Sequence, residues 1–60
     1  MYKVELGFDD EEKGLREILF STEEAAKDFA YTYIKRDSVI GATIYYINED
    51  GSEVPVAWMK

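Results

Sequence analysis

Ser38-Val39-Ile40-Gly41-Ala42-Thr43-Ile44-Tyr45-Tyr46-Ile47-Asn48 carries no charge, in a chain of 60 residues of which 33% are charged. Its centre, Val39 to Ile47, is β-branched and aromatic and reads as a strand. It does not alternate apolar with polar. Ile40, Ala42, Ile44 and Tyr46 share one face, and Val39, Thr43, Tyr45 and Ile47 share the other. A strand that is apolar on both faces belongs inside a sheet. One helix can cover only one face of that sheet, so the second face looks to a partner.

Alternation continues on both sides of this stretch. Tyr2, Val4, Leu6 and Phe8 alternate with Lys3, Glu5 and Gly7, which is the pattern of a half-buried strand. Residues 9–14 read as a polar hairpin loop ending in Lys13-Gly14. Residues 15–20 form a second strand, with Ile18 and Phe20 on one face and Glu17 and Leu19 on the other. Ser21-Thr22-Glu23-Glu24 fits a capping box, with Ser21 as the cap and Glu24 reaching back to it. The spacing of Ala26, Phe29, Ala30 and Tyr33 predicts a helix over residues 22–35, widened by Ala25 and Ile34. Glu23 and Glu24 lie at its positive end, and Lys35 and Arg36 at its negative end. Asn48-Glu49-Asp50-Gly51 is a hairpin turn with Gly51 in the slot for positive φ. Val54, Val56 and Trp58 then alternate with Glu53, Pro55 and Ala57 in a fourth strand.

The expected fold is α+β, ββαββ, with one four-stranded, mostly antiparallel sheet and a single helix on one face of a single domain, residues 1–60. Pro55 lacks an amide hydrogen, so the fourth strand belongs at an edge or Pro55 at a bulge. The third strand is internal. Orders 2-1-3-4 and 1-2-3-4 meet both conditions. The β-grasp order 2-1-4-3 is the alternative, but it puts Pro55 in a central strand. The expected core is Val4, Leu6, Ile18, Phe20, Ala26, Phe29, Ala30, Tyr33, Ile44, Val54, Val56 and Trp58; either Ile40 and Tyr46 or the opposite face of the third strand meets the helix, with Ile40, Ile44 and Tyr46 the favoured set.

Composition narrows the function. A domain this short buries only about 60% of its unfolded surface and needs good packing or association. It has no Cys, so no disulfide can help, which fits the cytoplasm. Glu5 falls where a signal peptide needs apolar residues, and no apolar run approaches the ~20 residues of a membrane span. The absence of His and Cys removes the usual general base, thiol nucleophile and zinc ligands. Gly7, Gly14, Gly41 and Gly51 are too scattered for a phosphate loop. No enzyme activity, cofactor or metal is expected. Asp9-Asp10-Glu11-Glu12 lacks the alternating spacing of an EF-hand and reads as a solvated, self-repelling turn. A net charge of −6 disfavours direct contact with nucleic acid or an anionic membrane and favours a basic or nucleic-acid-binding protein partner. The same charge also serves solubility.

Three surfaces are candidates for binding. The sheet face away from the helix should carry Leu19, Thr43, Tyr45, Ile47 and Ala57, with Val39 and Met59 at its margins. An acidic end should gather Glu23, Glu24, Glu49, Asp50 and Glu53, where carboxylates could imitate phosphates. The outer helix face presents Tyr31, either as an anchor or as cover for neighbouring Lys stems.

The element order, the acidity and the helix with Ala26-Lys27-Asp28-Phe29 and a later Tyr33 resemble the immunoglobulin-binding domains of streptococcal protein G. The apolar third strand and Pro55 depart from that pattern, and no binding residue carries across. In size, charge and element order the whole chain also resembles small phage-encoded inhibitors of host defence, of the anti-CRISPR and anti-restriction kind. That resemblance implies a non-catalytic protein that occupies a partner's surface in the host cytoplasm. A small structural homodimer, or an assembly subunit using the exposed sheet face, is the alternative.

Overall fold

The computed structural model describes residues 1–9 and 16–60. Among these residues the elements run β1 (Tyr2–Phe8), β2 (Arg16–Phe20), α1 (Glu23–Tyr33), β3 (Val39–Ile47) and β4 (Glu53–Met59). The strands form one sheet in the order β2-β1-β3-β4, with every neighbouring pair antiparallel. The fold is therefore α+β, ββαββ, with β3 internal and the Pro55 strand at an edge. The β-grasp order is not adopted, because it would need a ladder amide that Pro55 lacks. The hairpin loop and most of the Asp9-Asp10-Glu11-Glu12 cluster lie outside the described residues. Asp9 itself donates its amide to the Ser38 carbonyl at 3.0 Å, tying the end of β1 to the start of β3.

The core lies between α1 and the three strands beneath it. Val4, Leu6, Ala26, Ala30, Val39, Ala42 and Ile44 are buried, and Phe20, Phe29 and Tyr33 pack at their margin. Phe29 links Phe20 (ring centroids 5.2 Å apart) to Tyr33 (4.4 Å). Ala26 and Ala30 are small, so the helix axis can approach the sheet and the aromatic rings can close its flanks. The helix touches β1, β2 and β3 but not β4.

The helix is shorter than its periodicity predicts, and it starts one residue later. Thr22, not Ser21, is the N-cap, and its Oγ1 accepts from the Ala25 amide at 3.2 Å. With the cap shifted, Glu24 no longer occupies the reciprocal position of a capping box. The helix ends at Tyr33 with Ile34 as C-cap. Lys35 and Arg36 fall beyond the last turn. The cation at the helix's negative end is instead Lys60, from beyond β4. Its Nζ donates to the carbonyls of Ile34 (2.8 Å), Arg36 (3.2 Å) and Val39. One ammonium thus joins the Ile34 carbonyl at the helix end to the turn carbonyl of Arg36 and the first carbonyl of β3.

Two register shifts redistribute the apolar side chains. The first lies where Gly7 and Phe8 meet β3: Gly7 opposes Gly41 and Phe8 opposes Val39, leaving Ile40 extra. Val39 turns into the core, and Ile40, expected against the helix, is 57% exposed. Its side chain lies over Gly7, where a Cβ would sit 3.4 Å from Ile40 Cγ1. The second shift makes Val56 the extra residue of β4, since Ile44 opposes Ala57 and Tyr45 opposes Pro55. The phase of β4 then inverts. Ala57 and Met59 pack against the core, while Trp58 is 81% exposed. Val54 and Val56, also expected in the core, are exposed because the helix does not reach β4. Tyr46 does lie on the helix side, edge-on to Tyr2 (centroids 5.2 Å), but remains 39% exposed.

At the β3–β4 turn Gly51 has φ +90° and donates to the Asn48 carbonyl at 3.0 Å. Asp50 Oδ1 accepts from the Ser52 amide (2.9 Å) and hydroxyl (2.7 Å).

These environments separate two substitutions of large apolar residues. Leu6→Ala, which empties a fully buried site, should cost about 2–5 kcal/mol in urea unfolding, whereas Trp58→Ala should stay within about 0.5 kcal/mol.

Candidate protein-binding surface

The sheet face opposite the helix is built in rows set by the register. Leu19, Lys3, Tyr45 and Pro55 form one row, and Glu17, Glu5, Thr43 and Trp58 the next. Gly7 and Gly41 follow, with Ile40 above them. Ile47 and Glu53 pair at the other end. Leu19, Thr43, Tyr45 and Ile47 therefore lie on the open face, as expected. Ala57 does not, because the β4 bulge turns it to the helix side, and Val39 and Met59 move to the core side with it. Ile40 and Trp58 take their place. The exposed apolar residues of the face are Leu19 (60%), Ile40 and Trp58.

Lys3 anchors this face. It is buried, although no helix lies over it. Its Nζ donates to both carboxylate oxygens of Glu53 at 2.8 Å, across β3, and approaches Glu17 at 3.6 Å on the other flank. The ammonium also lies 5.0 Å from the Tyr45 ring centre. The hydrogen bond to Glu53 raises the Lys3 pKa above its usual 10.5, with Glu17, Glu53 and Glu5 adding to the effect against partial desolvation. The side chain ties the edge strand β4 to β1 and β2 by charge where no helix ties them by packing.

This arrangement thins out the acidic end. β2 and β3 run parallel, so the helix start and the β3–β4 turn share one end of the sheet. Glu53 turns to Lys3, Asp50 holds the turn through Ser52, and Glu23 pairs with Lys27 at 3.5 Å. Hydrogen bonds to the Ser52 hydroxyl and amide lower the Asp50 pKa below its usual 3.8. Glu24 and Glu49 remain exposed to solvent. Tyr31 is 54% exposed on the outer helix face.

Two hollows accompany these surfaces. A cleft of about 390 Å³ runs between helix and sheet, lined by Leu6, Phe8, Ile18, Phe29, Tyr33 and the two arginines Arg16 and Arg36. Arg36 is held there by stacking on Tyr33 at 4.5 Å. A shallower depression of about 320 Å³ lies on the open face between Glu5, Ile40, Gly41 and Trp58. Among the described residues no group of three or more acidic side chains is arranged to hold a metal, and no helix is long and apolar enough to cross a membrane. No family model, curated protein or solved structure matches this chain.

Sequence reasoning missed Ile40, Trp58 and Lys3. Gly41 within a strand and Pro55 were the signals for bulges, but neither residue says on which side of itself the register slips.

The Lys3 network predicts a pH dependence. A lysine with a raised folded-state pKa contributes fully below pH 10.5 and loses that contribution as pH rises through the shifted value. Thermal unfolding of wild type and Lys3→Met should differ at pH 7, and the gap should close above pH 10.5. Comparing the two proteins cancels the ionisation of the tyrosines, which both share.

Proposed function

We propose that this chain is a non-catalytic protein-binding module that acts by occupying a partner's surface through the open sheet face. The observation that carries this reading is Trp58, 81% exposed on a face that also exposes Ile40 and Leu19. Solvation of a tryptophan so exposed is unfavourable, and Trp is enriched among residues that dominate binding energy. Trp58 stands on the edge strand, where the helix gives no cover. Pro55 and the adjoining bulge make that edge a poor template for strand addition, so side chains on the face, rather than ladder hydrogen bonds, would do the binding.

The acidic end supports imitation of nucleic acid less well, because Glu53 and Glu23 are paired with Lys3 and Lys27. The small size and the net charge of −6 support an inhibitor of the phage anti-defence type, directed at a basic partner. A homodimer through the same face is the second reading, favoured by the same exposed residues.

Light scattering and partner capture separate these readings. The protein should remain monomeric at high concentration. Capture of a partner from a lysate of its source should be lost in Trp58→Ser and kept in a Glu24→Gln, Glu49→Gln double variant. Loss in the double variant with retention in Trp58→Ser would move the binding surface to the acidic end.

A further inference from the structure

The depression on the open face has the chemistry of a cation receptor, and we propose that it takes an arginine side chain of the protein partner. This deepens the protein-binding reading above and rests on it. Glu5, Gly7, Ile40, Gly41, Thr43 and Trp58 line the depression. Gly41, which opposes Gly7, leaves a low floor. Ile40 folds over Gly7 as an apolar wall. Glu5 opposes Thr43, and Thr43 opposes Trp58, so carboxylate and indole stand in one row with Thr43 between them. Adjacent strands are about 4.8 Å apart, so roughly 10 Å separates the backbones of Glu5 and Trp58. A guanidinium fits that span. It is planar and weakly hydrated, so it can stack on the indole, and its donor fork can turn to the carboxylate.

Charge selects the occupant. The open face sets the carboxylates of Glu5, Glu17 and Glu53 against the ammonium of Lys3, which goes to Glu53 and Glu17. Lys60 also borders the depression, but its ammonium is bound to the carbonyls of Ile34, Arg36 and Val39. An apolar partner would bury Glu5 with only Lys3, already bonded to Glu53 and close to Glu17, as counter-charge, which is costly. A second copy would meet this face with its own excess of carboxylates, since a two-fold interface brings the same patch to both sides. A basic segment has neither problem, and the net charge of −6 draws it in.

The chain contains one tryptophan, so its indole N–H is a single reporter. Amide and indole shifts should be followed in ¹⁵N spectra during titration with acetyl-Gly-Arg-Gly-amide and with the same peptide carrying citrulline, the neutral isostere. The arginine peptide should shift Gly7, Gly41, Thr43 and the Trp58 indole saturably. Citrulline, Glu5→Gln and Trp58→Leu should each weaken binding about two- to fivefold, as expected for one exposed ion pair or cation–π contact. Glu24→Gln should leave it unchanged. Equal affinity for the citrulline peptide, indifference to Glu5→Gln, or shifts spread equally to Glu24 and Glu49 would overturn the arginine assignment. Those failures leave Trp58-dependent capture of a partner standing as a separate result. Concentration-dependent shifts of the same signals without peptide would assign the face to a second copy and overturn both readings.

Discussion

A single helix of 11 residues has to shield a sheet of four strands, and its reach sets the terms for everything else. It packs on β1, β2 and β3 and leaves β4 bare. The strands beneath it hold the fully buried residues, Val4, Leu6 and Ile44 among them. The strand outside its reach carries Val54, Val56 and Trp58 exposed. β4 is held by its ladder to β3 and by Ala57 and Met59, which pack against the core.

Two ammonium groups reinforce that hold. Lys3 reaches across β3 to Glu53 and joins the uncovered edge to the centre of the sheet. Lys60 fastens the end of the chain to the carbonyls that close the helix. At the acidic end Lys3 and Lys27 offset Glu53 and Glu23, while Asp50 keeps its charge. The open face exposes Leu19, Ile40 and Trp58, the last to 81%.

The two bulges decide which apolar residues those are. Without them Ile40 would lie under the helix and Trp58 would share the phase of Val54 and Val56. With them Val39 and Ala57 go inward, and Ile40 and Trp58 come out on the same side of the sheet, beside Gly41. A bulge costs a ladder hydrogen bond and re-aims a side chain. Here both bulges supply exposed side chains to one depression, which is the geometry that a binding surface needs.

Much of the architecture was legible in the residues. The uncharged stretch from Ser38 to Asn48 had to be an internal strand, Pro55 had to sit on an edge or at a bulge, and the alanine–aromatic stripe had to be a helix. Those conclusions follow from period, backbone donors and charge, which are local properties. The candidate site was only partly legible: Thr43, Tyr45 and Leu19 lie on the open face, whereas Ala57 does not and Trp58 was assigned to the core. Side-chain direction in a strand depends on an unbroken count of residues from a paired neighbour, and one extra residue reverses it. Where the count breaks is settled by cross-strand fit, such as Ile40 lying over Gly7 or Ala57 seating against Ile44. The chain order of residues carries the strands and the helix; only the packed sheet decides which faces those strands show.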